Sequence, residues 1–263
     1  MNDRETLASE LYTHDRYIAH NPTLHEEDSP WKIGLLLPLL EEFVQRLDKP
    51  QRLVVLDCGG GKGLILKAVA SHLKERFAIQ TDKYALDLSP GMLEAQKQEN
   101  PDLQKMLQEN IGRTSLQNKE VDLTMMIDVI EHVSDPARAM AEIQRFSKYA
   151  LFKVPLEDNL VPRLWNWARH GKPRREAAAG IGHINYYSFA GIKRDIEKHC
   201  GKVISSGFGN VFSYYRIAPH YQNRRGFYFK WNRALGEQLH RWSPRLSSGI
   251  LFEDCAQLLV KCY

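Results

Sequence analysis

The chain has 263 residues, of which 43% are hydrophobic and 26% charged, and its formal net charge is +4. This is the composition of an ordinary soluble globular protein, with enough residues for one large domain or two small ones. The apolar stretch at 33–40 is too short to span a bilayer and contains Pro38, and the charged first residues lack the apolar centre of a signal peptide.

The cysteines show neither a CxxC pair nor the spacing of a metal site. They stand at Cys58, Cys200, Cys255 and Cys262. We therefore expect reduced, buried thiols in a cytoplasmic protein.

Apolar runs and helical periodicities alternate along most of the sequence. A first helix is predicted over 27–47, with Ser29 as its N-cap and Pro30 at the first helical position. Strands are predicted at 52–57, 83–89, 121–130, 148–155, 201–208 and 255–263, and helices at 62–77, from 90, at 136–147 and at 188–200. This alternation predicts an α/β fold, a doubly wound and mostly parallel sheet with helices on both faces.

Three segments do not fit the alternation and are too rich in aromatic residues for linkers. They are 1–50, 156–187 and 209–250. We expect a single domain over 1–263, in which these segments form a cap on a cofactor-binding core at 51–155.

The most informative stretch is "LDCGGGKGL" at 56–64, which follows a buried strand and precedes a helix. Glycines in such a turn let backbone N–H groups and the helix start approach a ligand closely. A nucleoside-triphosphate loop would need glycine where Leu56 stands and Ser or Thr where Gly63 stands, so that class is excluded. A nicotinamide dinucleotide loop would need glycine at Leu64, so that class is weakly supported but stays open.

The pattern Asp57-x-Gly59-x-Gly61-x-Gly63 after "RLVVL" resembles the first motif of the class I S-adenosylmethionine-dependent methyltransferases. That resemblance, to the small-molecule branch with its ubiquinone-biosynthesis-type and type 11 and 23 domains, implies a Rossmann-like sheet of seven strands. It also implies S-adenosylmethionine as cofactor and S-adenosylhomocysteine as product.

Three further segments, at 85–93, 122–146 and 182–200, resemble later parts of the same family in the same order. The resemblance implies cofactor contacts for Asp57, Cys58, Gly59, Gly61, Gly63, Asp87, Leu88, Asn110, Ile111, Asp128 and Ile130. Carboxylates also suit the ammonium and ribose groups of this cofactor on chemical grounds. Two alternatives stay open, because Asp87 could serve only in helix capping and Asp57 only as a turn residue.

Two histidines are candidates for acid–base chemistry. His132 follows the third clear strand, and His183 precedes an aromatic pair at 186–187. By the family pattern either could take the proton of an oxygen acceptor, whereas the alternative for His132 is that it only orders the turn before the next helix. Glu131 beside His132 gives two adjacent metal-ligand types without a third partner, so no metal is predicted.

Basic and aromatic residues are mixed in two parts of the expected cap. Residues 161–175 hold five Lys or Arg, two Trp and no acid, and 214–245 repeat the mixture with Glu237 as the only acid. Such segments suit an anionic ligand, RNA or a membrane surface. The alternative is that the aromatics only pack the cap. RNA is disfavoured because the sequence lacks the Asn/Asp-Pro-Pro-Tyr/Phe run of base amino-group methyltransferases.

These observations predict an enzyme that moves a methyl group to an oxygen of a small acceptor that is anionic, sugar-linked or lipid-linked. Nitrogen and carbon acceptors are less favoured. The first alternative is a nicotinamide-dependent oxidoreductase. The second is a non-catalytic module that docks RNA or a membrane surface.

Overall fold

The structure is a computed structural model that describes residues 26–180, 182–210, 227–250 and 254–263. Seven strands form one sheet: β1 (Arg52–Cys58), β2 (Gln80–Leu86), β3 (Lys105–Leu107), β4 (Val121–Ile127), β5 (Ser147–Pro155), β6 (Gly201–Asn210) and β7 (Asp254–Cys262). Their order is β3-β2-β1-β4-β5-β7-β6. Strands β1 to β5 run parallel, and β7 is antiparallel to both β5 and β6. The predicted fold class is confirmed.

Helices cover both faces of the sheet. They are α1 (Ser29–Gln45), α2 (Leu64–Phe77), α3 (Pro90–Glu99), α4 (Pro136–Phe146), α5 (Leu160–Ala168), α6 (Lys172–Gly180), α7 (Phe189–His199), α8 (Phe227–Trp242) and α9 (Pro244–Ile250). On one face α1 and α2 bury Phe43 and Leu66, and on the other α4 and α7 bury Ile143 and Ile192. The result is two apolar layers around the sheet, as expected of a doubly wound fold.

Residues with an N-cap preference begin several of these helices. The hydroxyl of Ser89 accepts a hydrogen bond from the N–H of Met92 at the start of α3, and Ser188 caps α7 in the same way. The predicted cap of α1 is wrong by one residue. Ser29 is already helical and Asp28 is the N-cap, although it makes no capping hydrogen bond through its side chain because its carboxylate pairs with Lys32.

Two sets of elements were not predicted from the sequence. The three-residue strand β3 is too short for a visible alternation, and helices α5, α6, α8 and α9 lie in segments that had been assigned only to a cap. Residues 1–25, 181, 211–226 and 251–253 lie outside the described residues, and so do the corresponding parts of the predicted cap. The predicted domain boundaries stay a prediction. Among the described helices, none is both long and apolar enough to cross a membrane.

Candidate functional site

The glycine-rich loop joins the end of β1 to the start of α2, at the carboxyl edge of the parallel strands. Gly59, Gly61 and Gly63 all have positive φ, at 62°, 55° and 82°. Gly63 is the N-cap of α2, and a Cβ atom on it would lie 2.7 Å from the side-chain nitrogen of Asn100. A side chain at position 63 is therefore excluded both by backbone conformation and by space.

Asp57 lies at the end of β1 with only 1% of its surface exposed, and its Oδ2 atom has no hydrogen-bond partner among the described residues. A Cβ atom on Gly60 would lie 2.1 Å from this oxygen. Gly60, which the sequence analysis did not select, thus lets the loop close over the carboxylate. Burial, and then the charge of Asp87, raise the pKa of Asp57 to about 7.

Asp87 follows β2, the neighbouring strand. Its N–H donates to the carbonyl of Leu107 at 3.1 Å, and its carboxylate accepts from the N–H of Ser89 at 2.9 Å. Because Ser89 is the residue that caps α3, Asp87 is held in the turn before the helix and is not itself the cap. The structure brings Asp57 and Asp87 together at one edge of the sheet.

The remaining candidates from the first three strands differ in exposure. Cys58 and Ile111 are buried, and burial raises the pKa of the Cys58 thiol well above its usual range. Leu88 is partly exposed, and the exposed Asn110 accepts a hydrogen bond from the N–H of Gly112 at 2.8 Å. Their contacts with a cofactor stay a prediction.

The end of β4 carries a buried group of charges that the sequence analysis missed. Lys153 on β5 donates to both carboxylate oxygens of Asp128 at 2.6 Å, and Lys32 on α1 lies 3.1 Å from the same carboxylate. Burial opposes ionisation of Asp128, but the two lysines outweigh it and lower its pKa. Asp128 therefore anchors α1 to the carboxyl edge, and Ile130, two residues on, is fully buried.

The two candidate histidines lie side by side. The rings of His132 and His183 have centroids 4.8 Å apart at 66°. His132 Nδ1 lies 3.0 Å from the carbonyl oxygen of Gly182, and His183 Nδ1 lies 2.8 Å from Oε2 of Glu157. Burial lowers the basicity of His183, but its bond to Glu157 outweighs this effect and raises its pKa.

Glu131 completes this group. It lies with His132 on the 3-10 turn Ile130–His132, shortly after the end of β4. Its side chain is 0% exposed, and neither carboxylate oxygen has a hydrogen-bond partner among the described residues. Burial, and then the nearby charge of Asp128, raise the pKa of Glu131 to about 8. The side-chain amide of Asn185 donates to the carbonyls of Ile130 at 3.1 Å and Val133 at 2.7 Å, which fixes the turn.

The histidine group adjoins the glycine loop. A Cβ atom on Gly59 would lie 2.9 Å from a methyl group of Val129, so the loop packs on the residue just before this turn. Carboxylates, backbone donors and histidines therefore meet at the carboxyl edge of β1, β2 and β4, where doubly wound sheets bind their ligands.

Comparison with known proteins agrees with this geometry. Residues 56–149 match a family model described as a methyltransferase domain. A chain from the complex between the Haloferax volcanii Trm112 methyltransferase activator and a methyltransferase aligns with a TM-score of 0.59 at 15% identity, covering 95% of this chain and 96% of that chain. No curated protein matches the sequence.

Two bacterial structures are similar in the same way. A methyltransferase from Bacillus halodurans aligns with a TM-score of 0.54 at 13% identity, over 84% of this chain and 97% of its own. Geranyl diphosphate C-methyltransferase from Streptomyces coelicolor, in complex with Mg²⁺, a geranyl thiolodiphosphate and S-adenosylhomocysteine, aligns with a TM-score of 0.56 at 12% identity, over 86% and 76%.

The chain thus has the fold of the class I S-adenosylmethionine-dependent methyltransferases and carries their methyltransferase domain at 56–149. The fold and the matched methyltransferase domain indicate S-adenosylmethionine as the cofactor. The residues present fit this group. The buried Oδ2 of Asp57, which has no hydrogen-bond partner among the described residues, suits an ammonium, and the side-chain-free loop at 59–61 suits close approach of a ligand to the backbone.

Proposed function

We propose that this protein transfers the methyl group of S-adenosylmethionine to an oxygen of a small anionic acceptor that is linked to a sugar or a lipid. The observation that carries this proposal is the group formed by buried Glu131 and half-buried His132 and His183 next to the glycine loop. An oxygen acceptor must lose a proton during transfer, and these side chains supply basic groups beside the loop that would hold the donor.

When bound, S-adenosylmethionine supplies a methyl group that is already activated by its positive sulfur. The chain's task is therefore mainly alignment. In this proposal Asp57 pairs with the ammonium of the donor, Asp87 accepts hydrogen bonds from its ribose hydroxyls, and the loop at 59–63 orients its methionine end. The oxygen lone pair of the acceptor forms the new bond to carbon, and the carbon–sulfur pair returns to sulfur.

The acceptor's proton leaves at the histidine group. Because a carboxylate can only accept, Nδ1 of His183 donates its hydrogen to Glu157, which keeps the lone pair on Nε2. Glu157 acts through His183 and is a positioning residue.

An exposed basic and aromatic surface supports an anionic acceptor with an apolar part. It consists of residues 160–175 together with 235–246, and its helices α5, α8 and α9 are in contact. Trp167 is 78% and Trp242 77% exposed, beside exposed Leu164 and Arg163. Apolar side chains flanked by arginines suit a lipid-linked anion or an anionic membrane surface. The Streptomyces relative is named for geranyl diphosphate, which has this chemistry.

The basic surface is connected to the histidine group through the chain. Arg174 pairs with Asp158 and stacks over the ring of Tyr186 at 4.6 Å. The hydroxyl of Tyr186 lies within hydrogen-bond distance of the carbonyls of Arg174, at 2.7 Å, and His183, at 2.8 Å. Arg174, which belongs to this surface, is therefore linked directly to the segment that carries His183.

The match to a methyltransferase domain favours S-adenosylmethionine over the nicotinamide alternative. The non-catalytic alternative, in which the basic surface docks RNA or a membrane, is separated by experiment. The cytoplasmic location stays a prediction, supported by four buried cysteines that form no disulfide.

The test combines ligand binding with turnover. S-adenosylmethionine, but not a nicotinamide dinucleotide, should raise the melting temperature, since a ligand of the native state stabilises it. Formation of S-adenosylhomocysteine is then measured with phenols, sugars and prenyl phosphates, and the product is examined for a methyl ether. His183→Ala should abolish turnover, and His72→Ala, which removes another histidine beside a glutamate, should not. Salt-sensitive RNA retention without turnover on any acceptor would support the non-catalytic alternative instead.

A further inference from the structure

Three side chains of metal-ligand type converge at the end of β4. Glu131 and His132 lie on the 3-10 turn, and His183 comes from the loop before α7, more than fifty residues later. One potential ligand atom from each lies within 4.8 Å of the other two. The third partner that the local sequence lacked is therefore supplied by the fold.

The carboxylate of Glu131 is the part of this group most in need of a positive partner. It is completely buried, and neither of its oxygens is hydrogen-bonded within the described residues. A buried carboxylate without a partner is unfavourable in either protonation state. The ionised form is an unpaired buried charge, and the neutral form has an O–H donor without an acceptor. A cation between Glu131 and the histidines would satisfy it.

Both histidines are oriented in the way that metal-binding histidines are. The Nδ1 atom of His132 faces the carbonyl oxygen of Gly182, and that of His183 faces the carboxylate of Glu157. Since both partners can only accept, each Nδ1 carries the hydrogen and each Nε2 carries the lone pair. A carboxylate or carbonyl behind the ring is the usual outer support of a histidine that ligates a metal.

We propose that Glu131, His132 and His183 bind one divalent transition-metal ion, of the Zn²⁺, Mn²⁺ or Co²⁺ type. Two imidazoles and a carboxylate favour such ions over Ca²⁺ or Mg²⁺, which prefer oxygen ligands throughout. Ligand distances of about 2.1 Å require the three ligand atoms to move together by about 1 Å.

Three protein ligands leave a coordination position for an oxygen of the acceptor. This role rests on the proposed function. A hydroxyl that ligates the ion has a lowered pKa and releases its proton to solvent, so that its oxygen attacks the methyl carbon as an alkoxide or phenoxide. With the ion bound, Nε2 of His183 ligates the metal and no longer accepts the acceptor's proton. Glu157 then orients a metal ligand instead of a base.

The experiment measures binding without donor or acceptor. Full-length protein is dialysed against a chelator and titrated with Zn²⁺ in a calorimeter and with Co²⁺ by visible absorption. We expect one ion per chain, and a Co²⁺ spectrum typical of four or five ligands. Glu131→Gln and His183→Ala should each weaken binding about 10- to 100-fold or more, and Glu157→Gln by about 10-fold.

His72→Ala is the matched control, because His72 also faces a glutamate, Glu41, at 3.4 Å but has no third ligand-type partner in the part of the chain that the structure describes. It should bind the ion as the wild type does. A melting-temperature shift with S-adenosylmethionine shows that each variant is folded. Absence of binding, or a stoichiometry that His183→Ala leaves unchanged, would overturn the site.

Turnover separates this inference from the proposed function. If the ion binds and chelation abolishes methyl transfer, the metal site and the proposed function are both supported. If the ion binds but no acceptor is methylated, the site stands and the proposed function fails. If the chelated protein transfers methyl groups at the full rate, the assigned role of the ion is wrong and His183 acts as the base.

Discussion

Lys153 donates a hydrogen bond to each carboxylate oxygen of Asp128 at 2.6 Å, across the neighbouring ends of β5 and β4. Asp128 has a positive φ of 55°, so the chain turns at this residue with its side chain held by the lysine. Lys32 on α1 reaches the same carboxylate, and the ring of Trp31 lies 5.3 Å from Nζ of Lys153. The family resemblance assigned Asp128 to the cofactor, and its ion pairs show that it also joins α1 to the sheet.

We expect Lys153→Met to destabilise the protein by about 3–5 kcal/mol, since among the described residues it leaves the carboxylate of Asp128 with Lys32 alone as a charged partner. Lys148→Met is the matched control. Lys148 is also on β5 and paired with an aspartate, Asp122, but half of its side chain is exposed. Its loss should cost at most about 1 kcal/mol. Urea unfolding measures both, and equal effects would contradict the importance of the buried network.

Asp87→Ala should lower the affinity for S-adenosylmethionine about 100-fold or more, because two hydrogen bonds from the ribose to a charged group are lost. The fold should stay intact. The control is Asp82→Ala on the same strand, where the aspartate pairs with exposed Arg52 away from the glycine loop. Calorimetry measures the affinities, and an unchanged value for Asp87→Ala would refute the ribose contact.

Cofactor affinity should rise as the pH rises through about 7, where Asp57 ionises beside the donor's ammonium. Asp57→Asn should bind weakly and without this pH dependence. The free energy of unfolding of the cofactor-free protein depends on pH in the opposite direction. The native state keeps a proton that the unfolded state loses near pH 4, so stability falls between about pH 4 and pH 7. Urea unfolding at both ends of this range should show a smaller fall for Asp57→Asn, and equal slopes would contradict a raised pKa.

The basic and aromatic surface should bind vesicles that contain phosphatidylglycerol, and not vesicles of phosphatidylcholine alone. Arg163→Ala should weaken co-sedimentation about fivefold, at about 1 kcal/mol for each basic residue near an anionic surface. Trp167→Ala should weaken it through lost apolar contact. Arg194→Ala on α7 is the control, because this arginine is equally exposed but lies outside the surface. Equal losses for Arg163→Ala and Arg194→Ala would show general charge attraction only.

Much of the fold could be predicted because its signals are local. Buried parallel strands are short apolar runs, and the helices between them begin at Ser or Asp followed by proline, as at Ser89 and Asp135. The glycine loop was visible for the same reason. Gly60 escaped because its requirement depends on the side chain of Asp57 three residues earlier, which becomes evident only when the loop is folded.

The parts of the site that could not be predicted depend on contacts between distant residues. His183 was a candidate by resemblance, but its partner Glu157 is 26 residues away and on a different element. Glu131 looked like a residue without a third ligand because the loop at 182–185 returns to the 3-10 turn only in three dimensions. The Lys32–Asp128 pair joins residues nearly a hundred positions apart.

Strand β7 lies between β5 and β6, although it follows both of them in the sequence. During synthesis the edges of β5 and β6 that pair with β7 therefore stay unpaired until residues 254–262 have emerged. The apolar side chains that β7 contributes to both layers of the core are also missing until then. Because unpaired strand edges favour aggregation, shortening the chain by this one strand would produce an insoluble protein, even though every residue of the glycine loop and the histidine group would still be present.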